Sequence, residues 1–266
     1  MGRGGTRRRS RATVMVVVLV AAVSAAILGV WRPWVPQALD APILASDEVV
    51  VVAPTPFVLP QNPRVLVFGD SWTYGSAASD PTLGYAYVLA DLLQGETIVD
   101  GVRGSGYLKP GLDGPAFGER IAALDASIAP DLVIVQGSIN DRAQGAEGYR
   151  DAVTAAWDAL AAKFPETAIV VLGPAPHELP VGAETARIDA DLSALAGARG
   201  WWYISPVQQD WITDQNYLDV IDVDLGNKHP STDGHRYLAE KVAAALTDIE
   251  AAPVTEAGEA ETAPVQ

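Results

Sequence analysis

The sequence predicts an α/β domain between residues 63 and 249, built on a parallel sheet with helices on both faces. Short apolar runs rich in β-branched residues lack polar alternation, as is typical of strands that are buried on both faces. Ala-rich stretches with helical periodicity separate these runs. The 266 residues are 49% apolar and 19% charged, which suffices for one such domain with appendages.

The strands and helices alternate along the chain. The predicted strands are 64–68, 97–99, 132–135, 168–172 and 202–204. The predicted helices are 84–93, 117–128, 149–164, 184–198 and 233–249. Pro130 and Pro165 end the second and third helices, and Gly200 ends the fourth, because proline and glycine stop a helical run. In such a sheet the ligand site lies at the carboxyl ends of the strands, so functional residues should follow the strands directly.

The amino-terminal segment has the pattern of a membrane anchor. Residues 12–31 form a run of 20 uncharged residues, and five of the first eleven residues are arginines. A helix of that length spans about 30 Å, the thickness of a bilayer core. Because basic flanks stay cytoplasmic, we expect a basic cytoplasmic tail (1–11), a single-pass transmembrane helix (12–31) and the α/β domain outside the cell membrane. The alternative is a cleaved signal segment and a secreted protein.

Two further segments flank the predicted domain. Residues 32–62 contain six prolines, which predicts an extended spacer. Residues 250–266 are rich in Ala, Pro, Thr and Glu and lack basic residues, which predicts an acidic, disordered tail.

Charge and composition exclude several classes of function. The 33 acidic and 18 basic residues give a net charge of −15, which disfavours nucleic-acid binding. The absence of cysteine excludes disulfides, thiolate metal sites and a cysteine nucleophile. With only three histidines, a multi-histidine metal centre would need nearly all of them, so we expect no metal and no other cofactor.

Four polar blocks lie at strand ends or at a helix start. They are 69–75 (GDSWTYG), 100–107 (DGVRGSGY), 136–141 (QGSIND) and 228–235 (KHPSTDGH). In this order they resemble the SGNH, or GDSL-type, hydrolase family over roughly residues 63–249. The resemblance implies a flavodoxin-like three-layer α/β/α sandwich with a central parallel sheet, here preceded by the transmembrane helix. It also implies ester hydrolysis by a serine nucleophile.

The resemblance assigns roles to individual residues. It implies Ser71 as the nucleophile and His229 as the general base. It further implies an oxyanion hole made by the Ser71 N–H, a glycine of the second block and the Asn140 amide. The chemistry agrees, because a serine hydroxyl needs a base to take its proton and an oxyanion needs fixed donors. Gly104 and Gly106 both fit the glycine, and Gly104 is preferred.

One position departs from the family pattern. The family usually has an aspartate three residues before the histidine, where this chain has Gly226. We expect Asp224, five residues before His229, to orient the imidazole. Asp222 and a backbone carbonyl are the alternatives.

These observations predict an extracytoplasmic serine esterase that acts on short-chain or acetyl esters through an acyl-serine intermediate. The expected substrate is a small-molecule, glycan or lipid ester, and the protein is expected to be a monomer that contacts the membrane through its amino-terminal helix. Two alternatives use the same pattern. One is an O-acyltransferase acting on cell-envelope glycans, and the other is a non-catalytic glycan-binding module.

Overall fold

A computed structural model describes residues 52–252 of the chain. The predicted basic tail, the anchor at 12–31, most of the spacer and nearly all of the acidic tail lie outside these residues. No helix within residues 52–252 is long and apolar enough to cross a membrane.

Five parallel strands form the central sheet. They are β1 (Arg64–Gly69), β2 (Glu96–Gly101), β3 (Leu132–Gln136), β4 (Ala168–Leu172) and β5 (Trp202–Ile204). Their order is β2-β1-β3-β4-β5, with every neighbouring pair parallel. This is the flavodoxin-like order. Strand β2 is added on one side of β1, and β3, β4 and β5 are added on the other, so the point at which the strand order switches lies between β1 and β3. The predicted parallel sheet is confirmed, and β1, β2 and β3 end at the same edge.

Helices cover both faces of the sheet. In chain order they are α1 (Ser71–Tyr74), α2 (Tyr85–Leu93), α3 (Phe117–Ala123), α4 (Tyr149–Lys163), α5 (Ala183–Arg199), α6 (Tyr217–Val220) and α7 (Thr232–Glu250). Short 3₁₀ helices span Pro81–Leu83, Ala126–Ile128 and Ile139–Ala143.

Strand β1 divides the core into two layers because side chains alternate along a strand. Val65 and Val67 are fully buried on one face, against α2 and α7. Leu66 and Phe68 are fully buried on the other, against α3, α4 and α5. The three-layer α/β/α arrangement predicted from the sequence is therefore confirmed for the described residues.

Two details differ from the prediction. The helix predicted at 117–128 ends at Ala123, and a separate 3₁₀ helix follows because the Asp125 side chain accepts a hydrogen bond from Ser127 N at 2.8 Å. An antiparallel hairpin of two-residue strands, β6 (Ile221–Asp222) and β7 (His229–Pro230), was not predicted. This hairpin carries His229.

The described end of the predicted spacer lies against the domain. Val52 N donates to Gly197 O at 3.0 Å, and Leu59 N donates to Glu250 Oε1 at 2.6 Å. The indole of Trp202 donates to Thr55 O at 2.9 Å. Residues 52–59 are thus held on the domain surface through their backbone groups.

Candidate active site

Ser71 lies at the sheet edge where β1 passes into α1. Asp70 is the N-cap of α1, and its carboxylate accepts a hydrogen bond from Trp72 N at 2.9 Å. Ser71 is the first residue of the helix, so its N–H has no acceptor within the helix, and it has none elsewhere in residues 52–252. The cap therefore fixes a serine whose backbone donor is open to a ligand.

Glycine is required immediately before this turn. A Cβ at Gly69 would lie 2.3 Å from Thr73 Oγ1 and 2.6 Å from Gln136 Oε1. The close approach of β1, α1 and the end of β3 thus depends on a residue without a side chain.

His229 meets Ser71 although the two are far apart in the chain. His229 Nε2 lies 2.8 Å from Ser71 Oγ, and Nδ1 lies 2.8 Å from the carbonyl oxygen of Gly226. Because a carbonyl oxygen only accepts hydrogen bonds, Nδ1 carries the proton. Nε2 is then the acceptor for the Ser71 hydroxyl. The predicted contact between nucleophile and base is confirmed in geometry.

The structure does not place Asp224 at the His229 ring, so that prediction is wrong. Asp224 contributes its backbone N–H to Asp222 Oδ1 at 3.0 Å, and its side chain is exposed. The Asp222 carboxylate accepts that bond and does not reach the imidazole either. The third alternative holds in this structure, since a backbone carbonyl orients the histidine.

The packing around Gly226 explains why no side chain stands at this position. A Cβ there would lie 2.6 Å from Asp222 Cβ and 2.7 Å from Ala77 Cβ. The same carbonyl also accepts the backbone N–H of His229 at 3.1 Å. The hairpin turn therefore tightens against the loop after α1 and presents its carbonyl to Nδ1.

The two glycines of the second block differ in whether the backbone N–H is free to bind a ligand. Gly106 N donates to Lys109 O at 2.8 Å, so its N–H is already used. Gly104 has a φ of 74°, in the left-handed region, and its N–H has no acceptor among the described residues. Gly104 is therefore the glycine that can donate to a ligand.

Asn140 completes the set of donors. It lies in the 3₁₀ helix that follows β3, and its Nδ2 donates to Ser105 O at 3.0 Å. Its second approach, to Asp70 Oδ2, is 3.5 Å and therefore weak, which leaves one amide hydrogen for a ligand. Ser71, Gly104 and Asn140 are thus brought to the same edge of the sheet, as predicted.

Asp141 anchors the second block to the third. Its buried carboxylate accepts the backbone N–H groups of Tyr107 at 2.7 Å and of Leu108 and Lys109 at 3.1 Å. This clamp holds the glycine loop next to Asn140.

Arg120 also supports the site, although no pattern in the sequence indicates it. Its guanidinium is buried and donates to Gly69 O at 2.9 Å, Ser105 Oγ at 2.9 Å and Asp100 O at 2.7 Å. It therefore ties the ends of β1 and β2 to the glycine loop. An arginine on an amphipathic helix ordinarily faces solvent, so its position in the sequence does not reveal this contact.

Two titratable groups near the nucleophile have shifted pKa values. Burial raises the pKa of Asp70 to about 7, against the opposing effects of the hydrogen bond from Trp72 and the charge of Arg120. Burial lowers the pKa of His235 to about 4. His235 Nδ1 accepts from Tyr85 N at 3.2 Å and Nε2 donates to Ser76 O at 3.0 Å, so the neutral ring fits its place. Within residues 52–252 no three His, Asp or Glu side chains are grouped so that they could hold a metal ion.

Comparison with known proteins identifies the same family. The model of the GDSL-like lipase/acylhydrolase family matches residues 67–237. The chain is 30% identical over 195 residues to the GDSL lipase Rv0518 of Mycobacterium tuberculosis, an alignment that covers 68% of this chain and 80% of that protein.

Solved structures share the fold at lower identity. The native aryl esterase of M. smegmatis superposes with a TM-score of 0.54 at 18% identity, covering 70% of this chain and 99% of that chain. A two-domain esterase active on acetylated mannans superposes with a TM-score of 0.55 at 21% identity, covering 77% of this chain and 54% of that chain. The family match, the relative and the shared fold together show that this chain belongs to the GDSL-like lipase/acylhydrolase family and is a serine ester hydrolase.

Proposed function

We propose that the protein is an extracytoplasmic esterase that hydrolyses short-chain or acetyl esters through an acyl-serine intermediate at Ser71. The observation that carries this proposal is the 2.8 Å contact between His229 Nε2 and Ser71 Oγ beside three open donors. A non-catalytic glycan-binding module would have no need of this contact.

In the first half of the reaction Ser71 Oγ attacks the acyl carbon and His229 Nε2 takes the hydroxyl proton. The oxyanion that forms accepts hydrogen bonds from the Ser71 N–H, the Gly104 N–H and the Asn140 amide. The C–O bond to the alcohol breaks as His229 returns its proton to the leaving oxygen. The acyl group then remains on Ser71.

In the second half a water molecule loses a proton to His229 and attacks the acyl-serine. The Ser71 oxygen leaves and recovers its proton from the imidazolium. Throughout, the Gly226 carbonyl oxygen accepts the hydrogen bond from His229 Nδ1, with 2.8 Å between the two atoms, and keeps Nε2 directed at the reacting oxygen.

The experiment that tests the site assignment compares the full chain with Ser71→Ala on chromogenic acetyl, butyryl and octanoyl esters. We expect the variant to lose activity by at least about a thousandfold, because neither an acyl-serine nor a general-base relay can form. Equal rates for the two proteins would reject the nucleophile, and a fall in rate with increasing acyl length would support the short-chain preference.

The extracytoplasmic location rests on the uncharged run at 12–31 behind its arginine cluster. Protease added to intact cells that express the chain should then degrade the catalytic domain. Protection of the domain in intact cells, with cleavage only after lysis, would overturn the proposed location.

A further inference from the structure

Arg142 is a cation next to the site that no part of the proposed reaction uses. It lies two residues after Asn140 in the same 3₁₀ helix, and its side chain is half-buried. One N–H of its guanidinium donates to Ile139 O at 2.9 Å. No carboxylate of residues 52–252 forms an ion pair with it, whereas a guanidinium carries five N–H donors. Most of its hydrogen-bonding capacity is thus open.

The residues around Arg142 place it on the His229 side of the site. Lys228, which precedes His229, forms an ion pair with Glu178 at 2.7 Å, and His177 Nε2 lies 3.7 Å from the same carboxylate. Burial lowers the pKa of His177, and the positive charge of Arg142 lowers it further, with smaller effects of Glu178, Lys228 and His229. Strands β3 and β4 are hydrogen-bonded neighbours up to their carboxyl ends, so the 3₁₀ helix that carries Arg142 and the loop that carries His177 leave the same sheet edge side by side. Arg142 therefore lies next to the group of side chains that flanks His229.

The charges in this group do not cancel. The single carboxylate of Glu178 already has Lys228 at 2.7 Å, so Arg142 keeps an unbalanced positive charge. This occurs in a chain whose net charge is −15, where a carboxylate partner would be easy to supply. A half-buried guanidinium with open, coplanar donors is the side chain best suited to bind a carboxylate or a phosphate in two-point fashion.

The chemistry of the reaction indicates which part of an ester lies here. In the proposed reaction His229 returns its proton to the leaving oxygen, so the alcohol part of the substrate must lie on the His229 side of Ser71. Arg142 and the His177 group flank that side. A negative charge on the alcohol would then lie opposite Arg142, with which no carboxylate of residues 52–252 forms an ion pair.

We propose that Arg142 binds an anionic group, a carboxylate or a phosphate, on the alcohol part of the ester. The inference rests on the proposed function and goes beyond it, since it names the class of leaving group that the site prefers. His229 acts on the ester oxygen while Arg142 holds the remote charge of the same alcohol.

The experiment uses three acetyl esters of similar phenols with the full chain. They are para-acetoxybenzoate and para-acetoxyphenyl phosphate, which are anionic, and para-acetoxybenzamide, which is neutral. The measured quantity is the ratio of kcat/KM for each anionic ester to kcat/KM for the neutral one. Because each ratio is compared between variants, differences in phenol reactivity cancel.

We expect each ratio to fall by about threefold to tenfold in Arg142→Gln, the range of a partly exposed charge-assisted pair. Arg142→Lys should retain part of the preference because the charge remains while the two-point geometry is lost. Lys241→Gln is the matched control, since Lys241 lies on α7 over the ring of Tyr237 and also has no ion-pair partner within the described part of the chain. In wild type, added salt should lower both ratios by screening.

The possible outcomes are separable. An unchanged ratio in Arg142→Gln, or an equal fall in Lys241→Gln, overturns the subsite while leaving the esterase intact. If Arg142→Gln does not fold, a wild-type ratio that is insensitive to salt and unchanged in Arg142→Lys overturns it as well. Hydrolysis of none of the three esters by wild type contradicts the proposed function, and the subsite with it. The anionic ester whose ratio depends more on Arg142 identifies whether carboxylate or phosphate is the preferred group.

Discussion

At the level of single residues, the partner of the His229 ring distinguishes this site from the usual serine triad. A carboxylate at Nδ1 would stabilise the imidazolium by charge, whereas the Gly226 carbonyl, at 2.8 Å, supplies only a dipole and a fixed direction. The carbonyl cannot change its protonation state and cannot rotate away from the ring independently of the hairpin. Orientation of the base is thus a property of the backbone here.

Substitution of Asp224 tests this arrangement directly. We expect Asp224→Ala to change kcat by no more than about twofold, because the side chain is exposed and contacts no part of the ring. Loss of a true triad carboxylate costs about 10⁴-fold in kcat. Steady-state kinetics with an acetyl ester makes the measurement, and His229→Ala provides the reference for a lost base. A thousandfold drop in Asp224→Ala would show that the carboxylate reaches Nδ1 during turnover.

The sequence allowed some of these residues to be identified and not others. Ser71, Asn140 and His229 bear side chains of the expected type next to predicted strand or helix ends, so position and chemistry both mark them. The role of Gly226 belongs to its carbonyl, and every residue has one, so no pattern of side chains can indicate it. The sequence favours Asp224 because a carboxylate near the histidine is visible in the residue pattern, whereas a backbone carbonyl is not.

At the level of elements, the β6–β7 hairpin decides whether Ser71 has a base. Asp222 pairs with His229 across the hairpin, and the turn between them lies against Ala77 in the loop after α1. The hairpin therefore joins the base to the loop that directly follows α1, the helix that begins with the nucleophile. Its two-residue strands are too short to show an alternating pattern, so the sequence does not predict them, whereas the continuous apolar runs of β1, β3 and β4 do predict strands.

We expect Gly226→Ala to disrupt this element. The added Cβ would overlap Asp222 Cβ and Ala77 Cβ at 2.6 and 2.7 Å, so the hairpin must shift. Overpacking of this kind costs about 1–3 kcal/mol of unfolding free energy. A displacement of the base by about 1 Å lowers kcat by about a hundredfold. Denaturant unfolding and steady-state kinetics measure the two effects.

Gly118→Ala is the matched control for that substitution. Gly118 lies in α3, and a Cβ there would meet nothing within 4 Å. This variant should keep its activity and gain a little helix stability. Full activity in Gly226→Ala would show that the hairpin can open without moving His229, and the proposed link between turn packing and base position would then be wrong.

At the level of the whole molecule, the parallel sheet explains why residues far apart in the chain form one site. β1, β2 and β3 end at the same edge, so Ser71, Gly104 and Asn140 follow directly from topology once the strands are recognised. The supporting contacts do not follow in this way. Arg120, Asp141 and the Asp70 carboxylate act through buried hydrogen bonds across three segments, and their positions depend on packing that local periodicity does not encode.

Burial of Asp70 and of His235 makes the stability of the folded molecule depend on pH in two opposite ways. The neutral form of Asp70 fits the fold, with a pKa raised from 3.8 to about 7, so its stabilising contribution is present below 3.8 and is lost as pH rises through 7. His235 has its pKa lowered from 6.5 to about 4, so its contribution is present above 6.5 and is lost as pH falls through 4. Each group changes the free energy of unfolding by an amount on the order of 3–4 kcal/mol. Between pH 4 and 6.5 the two changes have opposite signs.

Separate substitution of Asp70 and of His235 should therefore give opposite slopes of the free energy of unfolding against pH. In Asp70→Asn the His235 response remains, so the free energy of unfolding should increase as pH rises from 4 to 6.5. In His235→Gln the Asp70 response remains, so the free energy of unfolding should decrease as pH rises from 4 to 7. Urea unfolding at half-unit pH intervals measures both, and each is compared with wild type so that the remaining carboxylates cancel. Parallel pH profiles for the two variants would show that burial does not shift these pKa values in opposite directions, because only opposed linkage makes the slopes diverge.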